Sequence, residues 1–139
     1  MNKLLLAALL LVGCTPKTPV QVADKFVDLY FVEVDQARAL ALSSGLARSK
    51  LEEELSLVEK VRQSYDPEQA KPSIYYVRRD SQVQGEHARM TYDITIKQGR
   101  DESKRNALIS VELTDGKWTV GNFIVKEEHA PAALPRPAP

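Results

Sequence analysis

The chain has 139 residues, 19 basic and 19 acidic side chains, a formal charge of zero and a single cysteine. That length supports one hydrophobic core and is typical of a single domain. Balanced charge excludes the global basic field of a nucleic-acid binder, and a lone cysteine excludes an internal disulfide.

The chain opens with Lys3, nine apolar residues from Leu4 to Val12, and then Gly13-Cys14. A charged start, a short apolar core and small residues at a cleavage point make a secretory signal. A spanning helix needs roughly 20 apolar residues, whereas this run breaks at Gly13 and meets Pro16 and Pro19. Leu11-Val12-Gly13-Cys14 resembles the lipobox of bacterial lipoproteins. The resemblance implies that residues 1–13 are removed and that acylated Cys14 becomes the first residue of the mature chain, with the membrane as its partner. It implies three acyl chains; at about 0.8 kcal/mol per buried methylene, several chains hold stably where one does not. Thr15 stands where lipoproteins kept in a Gram-negative inner membrane carry Asp, so the resemblance favours the outer membrane. Residues 14–17 are then a short lipidated tether to a domain over 18–128.

Thr18-Pro19-Val20-Gln21 predicts a helix start, with a hydroxyl cap, proline at the first helical position and Gln at the third. Ala23, Phe26, Val27, Tyr30, Phe31 and Val34 follow at spacings of three and four, one buried helix face. Asp24, Lys25, Asp28 and Glu33 occupy other angles. Asp35 is placed to cap a second helix carrying Ala37, Leu40 and Ala41. Ser49-Lys50-Leu51-Glu52 reads as a capping box for a third, continuing through Leu55 and Val58 to Tyr65 and ending at Asp66-Pro67.

Beyond Pro72 the period changes from 3.6 to 2. Ile74–Gln82 predicts a first strand, with Tyr75 and Tyr76 on opposite faces. In the second, Ala88, Met90, Tyr92, Ile94 and Ile96 alternate with polar residues, one apolar and one solvated face. Gly99 to Ser103 reads as a polar turn, and Ala107, Ile109, Val111 and Leu113 continue the apolar face. Asp115-Gly116 is a tight-hairpin signal. Trp118 and Val120 then switch parity to Phe123 and Val125 across Gly121-Asn122, which predicts a bulge. The Ala/Pro-rich run 129–139 reads as a disordered tail.

Helices followed by a four-stranded antiparallel meander with one apolar face make an α+β fold, with the helices over that face. This order, Phe26-Val27-Asp28-Leu29-Tyr30 in the first helix, and the closing Asp115-Gly116-Lys117-Trp118-Thr119-Val120 hairpin resemble the nuclear transport factor 2-like (cystatin-like cone) superfamily over about residues 18–128. The superfamily includes lipoproteins, ligand binders, interaction domains and enzymes, so fold alone does not assign function.

Chemistry-bearing motifs are sparse. No His/Cys/Asp/Glu cluster has metal-ligand spacing, and neither a phosphate-cradling glycine loop nor a nucleophile motif is present; no metal, cofactor or catalytic residue is expected. Inward strand positions hold no group that titrates near neutral pH, while His87, Asp93 and Glu112 have the opposite parity and are expected to face water, which no reaction site would exclude. Glu52-Glu53-Glu54 reads as acids complementing a helix macrodipole. Arg78-Arg79 and Lys104-Arg105 make a basic strip interrupted by Asp80, Asp101 and Glu102. Tyr30, Tyr76, Tyr92 and Trp118 either fill the core or line a helix–sheet cavity, where the superfamily resemblance implies ligands are kept. The expectation is a lipid-anchored envelope protein with a non-enzymatic binding or assembly domain; the alternative is a small-ligand binder or enzyme using that cavity.

Overall fold

The computed structural model describes residues 15–61 and 71–128. The expected signal segment with Cys14, the expected end of the third helix at Tyr65 to Pro67, and the expected tail over 129–139 lie outside the described residues. The fold is α+β: three helices precede a four-stranded antiparallel sheet.

Helix α1 (Pro19–Val27) starts as its sequence dictates. Thr18 Oγ1 accepts from the Gln21 amide and Gln21 Oε1 accepts from the Thr18 amide, each at 3.2 Å, which satisfies two amides that otherwise lack partners. Val22, Ala23, Phe26 and Val27 are buried. The next five residues, Asp28–Val32, widen into a π-helical turn in which the Glu33 amide donates to the Asp28 carbonyl. The helix then ends at Glu33, one residue before Val34. Leu29 and Phe31 point in, whereas Val34, expected on the buried face, is 58% exposed and sits at φ 53°.

Asp35 Oδ1 accepts from the Arg38 amide and opens α2 (Gln36–Ala41). This short helix buries Ala39 and half-buries Leu40, and Ala37 and Ala41 are exposed. Helix α3 (Gly45–Val61) begins four residues before the expected Ser49 cap. Ser49 Oγ instead donates back to the Gly45 carbonyl at 3.3 Å inside the helix, a bond hydroxyls readily make there.

The strands are β1 (Ser73–Gln84), β2 (His87–Gln98), β3 (Asp101–Thr114) and β4 (Lys117–Glu127), in spatial order β1-β2-β3-β4. Ala88, Met90, Tyr92 and Ile94 on β2 and Ala107, Ile109 and Val111 on β3 are buried, matching the alternation read from sequence. The expected polar turn over Gly99 to Ser103 is tighter: Gln98 pairs with Asp101 and Lys97 with Glu102, so β3 starts at once. Asp115 and Gly116 both take positive φ, 51° and 73°, as a two-residue turn matching the strand twist requires. The bulge lies where parity predicted it. Ser110 pairs with Asn122 but Val111 with Val120, leaving Gly121 extra. A Cβ there would meet the Glu112 carboxyl carbon at 2.9 Å, so glycine lets the Glu112 side chain lie across the bulge.

The two sheet edges differ. At β4 the Val120 amide donates to the Leu42 carbonyl, and the Ser44 amide donates to the Val120 carbonyl. Lys50 Nζ donates to the Phe123 carbonyl at 2.8 Å and to Asn122 Oδ1 at 2.9 Å. Among the described residues no strand pairs with the outer edge of β1, and from Val77 to Gln84 every residue is exposed.

Candidate functional site

The tyrosines expected to line a cavity divide between two places on the inner face. Tyr92 lies at the centre of β2 with no exposed surface, and its hydroxyl donates to Asp24 Oδ1 on α1 at 2.7 Å. Arg78 Nη1 of β1 donates to the other oxygen of the same carboxylate. Tyr76, two residues before Arg78 on β1, meets the Tyr92 ring edge-on with centroids 6.0 Å apart. Asp24 thus ties α1 to two strands. Burial, reinforced by the hydrogen bond to Asp24 and its charge, holds the Tyr92 hydroxyl protonated well above the ordinary tyrosine range. Tyr76 shifts the same way, through burial and then the charges of Asp28 and Asp24.

Tyr30 belongs to the second group. Its ring packs against Phe26, Phe31 and Phe123 at 4.8 to 5.7 Å, and its hydroxyl donates to Glu54 Oε1 at 2.8 Å. Burial, then the hydrogen bond and charge of Glu54, raise its pKa strongly. Lys50 reaches over Phe123 from the neighbouring turn of α3, 5.2 Å from the ring centroid. Trp118 is half-buried against the core near the last hairpin and makes no ring contact with the three tyrosines. The four candidates therefore do not converge on one point. Tyr76 and Tyr92 adjoin, Tyr30 sits in a phenylalanine cluster, and two of the hydroxyls are already occupied by helix carboxylates.

Sequence reasoning missed both carboxylates. Glu54 was legible: it follows Ala47 by seven and Leu51 by three, the two buried residues of α3, and so falls on the inward stripe. The early helix start places it mid-helix rather than in a first turn. Asp24 carried no comparable signal, because its partners come from strands 54 and 68 residues away.

His87, Asp93 and Glu112 project from the outer face of the sheet. Asp93 accepts from Arg79, while His87 and Glu112 are exposed cross-strand neighbours. Three members of the basic strip are paired: Arg78 with Asp24, Arg79 with Asp93 and Arg105 with Glu127. Among the described residues no three His, Cys, Asp or Glu side chains are grouped to hold a metal, and no helix is long and apolar enough to cross a membrane. Comparison with known proteins found no matching family model, no similar curated protein and no similar solved structure.

Proposed function

We propose that this chain is a lipid-anchored cell-envelope protein, held by acylated Cys14, whose α+β domain is a non-enzymatic binding or assembly module. The observation that carries this reading is Leu11-Val12-Gly13-Cys14 at the end of a nine-residue apolar run after Lys3. The anchor also fits the start of the domain. Thr18 caps α1, so Thr15 to Lys17 is all that separates the acylated residue from the folded part, and the domain rides close to the lipid surface. Thr15 favours the periplasmic face of an outer membrane. The finer fold assignment is nuclear transport factor 2-like, supported by the capped first helix, the meander order and the closing Asp115-Gly116 hairpin.

The non-enzymatic part rests on where the titratable groups are spent. The inner sheet positions are apolar, Asp24 and Glu54 are engaged by tyrosine hydroxyls, and His87, Asp93 and Glu112 face outward. A general acid or base works from a site that excludes water, and these groups lie on the face of the sheet away from the helices. Metabolic labelling with a fatty-acid probe tests the anchor: the wild-type chain incorporates label and Cys14→Ala does not. Label on the Cys14→Ala chain would refute it. Purification of the anchored protein from solubilised envelope then tests the module, through a stoichiometric partner that survives washing.

A further inference from the structure

We infer that β1 pairs antiparallel with β1 of a second copy of this chain, about a two-fold axis between Arg79 and Asp80, joining two four-stranded sheets into one of eight. The starting point is the contrast between the edges. The β4 edge is closed by Leu42, Ser44 and Lys50. The β1 edge is twelve residues long and open among the described residues, with Tyr75, Val77 and Val83 each more than half exposed. An open edge of that length presents a row of amides and carbonyls as a template for another strand.

The bulge in β1 selects the register. Arg78 pairs with Tyr92 and Asp80 with Thr91, so Arg79 is the extra residue. Counted from the two-residue turn at Gly85 and Glu86, the antiparallel alternation aims the backbone groups of Val83 and Ser81 away from β2. Across the extra residue it aims those of Arg78 and Tyr76 outward. In a symmetric pair centred between Arg79 and Asp80, Arg78 lies opposite Ser81 of the other copy and Tyr76 opposite Val83. Outward backbone groups then meet outward backbone groups. Faces agree as well. Tyr76, Arg78, Ser81 and Val83 share the helix-covered side, being opposite Ile94, Tyr92, Met90 and Ala88, and the exposed Val83 gains the Tyr76 ring as its neighbour.

Charge favours the same arrangement. Arg79 and Asp80 of one copy lie opposite Asp80 and Arg79 of the other, two reciprocal pairs at the axis. Asp80 has no cationic partner within its own chain among the described residues; it accepts only from Gln82, at 3.1 Å. Arg79, 62% exposed, has room to serve both Asp93 and an incoming Asp80. Sliding the partner by two residues either way separates the two Arg79–Asp80 pairs and sets Arg78 opposite Arg79, or Asp80 opposite Ser81, residues that face opposite sides of the sheet. Charges that guard an edge against pairing usually repel a copy of themselves; these two attract one.

Sedimentation of the full-length chain in detergent over a concentration series tests the inference. Wild type forms a dimer. Arg79→Asp and Asp80→Arg each raise the dissociation constant by about tenfold, since each turns two attractive contacts into repulsive ones. An equimolar mixture of the two variants restores the wild-type value, because every opposed pair is again of opposite sign. Ser81→Pro, which removes an outward amide at an edge position where proline is tolerated, abolishes the dimer without altering charge. Thermal melts matching wild type show that each variant is folded. A wild-type chain that stays monomeric up to about 1 mM, or charge variants that dimerise as tightly as wild type, would overturn the proposal. It does not depend on acylation: a monomer leaves the anchor standing, and loss of the anchor leaves edge pairing standing.

Discussion

The Tyr92 hydroxyl donates to Asp24 across 2.7 Å, joining the centre of the sheet to the second turn of α1. The same carboxylate receives Arg78 from the edge strand, so one side chain of α1 fixes its position over two strands. Removing the donor costs less than removing the acceptor. Tyr92→Phe loses one hydrogen bond to a charged group, about 1–2 kcal/mol once the partial exposure of Asp24 is allowed for. Asp24→Ala costs about 2–3 kcal/mol, because it also frees Arg78 and strands a buried hydroxyl. Urea unfolding of both variants and the double variant measures the coupling; strictly additive effects would show that the bond contributes nothing.

Stability should fall in alkali. An unfolded tyrosine ionises near pH 10, whereas burial and carboxylate partners hold the Tyr30 and Tyr92 hydroxyls protonated well above that. The folded state therefore keeps protons that the unfolded chain releases. Their contribution is complete below about pH 10 and is lost as pH rises past it, at up to about 1.4 kcal/mol per pH unit for Tyr92 and less for the more exposed Tyr30. Urea midpoints from pH 8 to 11.5 should hold and then drop, and Tyr92→Phe should flatten the drop. A midpoint unchanged at pH 11.5 would refute this.

Face assignment gives a paired test. Ile94 is fully buried, and a carboxylate there has no partner, a penalty of several kcal/mol against a total stability of about 5–15. Ile94→Asp should unfold the domain, and Thr95→Asp, projecting from the opposite face, should leave it folded. Equal shifts in the melting curve would mean that the two positions share an environment.

Val34 offers a gain. A β-branched residue at φ 53° carries about 1–2 kcal/mol of strain that glycine does not, and its exposed side chain contributes little packing. Glycine's extra freedom in the unfolded chain offsets part of this, leaving Val34→Gly about 0.5–1 kcal/mol more stable. A calorimetric melt should show a higher midpoint; a lower one would mean that the valine side chain makes stabilising contacts.

Much of the fold was legible because its signals are local. The Thr18–Gln21 box, the strict alternation of β2, the Asp115-Gly116 turn and the parity switch at Gly121 each involve residues close in sequence, where one physical rule dominates. The failures have two causes. The start of α3 at Gly45 and the pairing of Asp24 and Glu54 with tyrosines depend on elements distant in the chain. Period counting also assumes a constant 3.6 and a helix that runs on, whereas the turn widens at Asp28 and the helix ends at Glu33, one residue before Val34. The helix carboxylates show the same limit, since an acid on a helix reads as solvated until the strand that supplies its donor is in place.

The closure of the β4 edge sets an order of events during synthesis. Ser44 and Thr119, whose hydroxyls meet at 2.7 Å, are 75 residues apart, and Leu42, Ser44 and Lys50 all find their partners between Val120 and Phe123. A chain emerging from the ribosome displays its helices long before the strand that seats them exists. Until Phe123 has been made, no partial product can complete the core, and the search for so distant a partner is slow. The nascent chain therefore exposes the apolar faces of its helices to chaperones until β4 has been made.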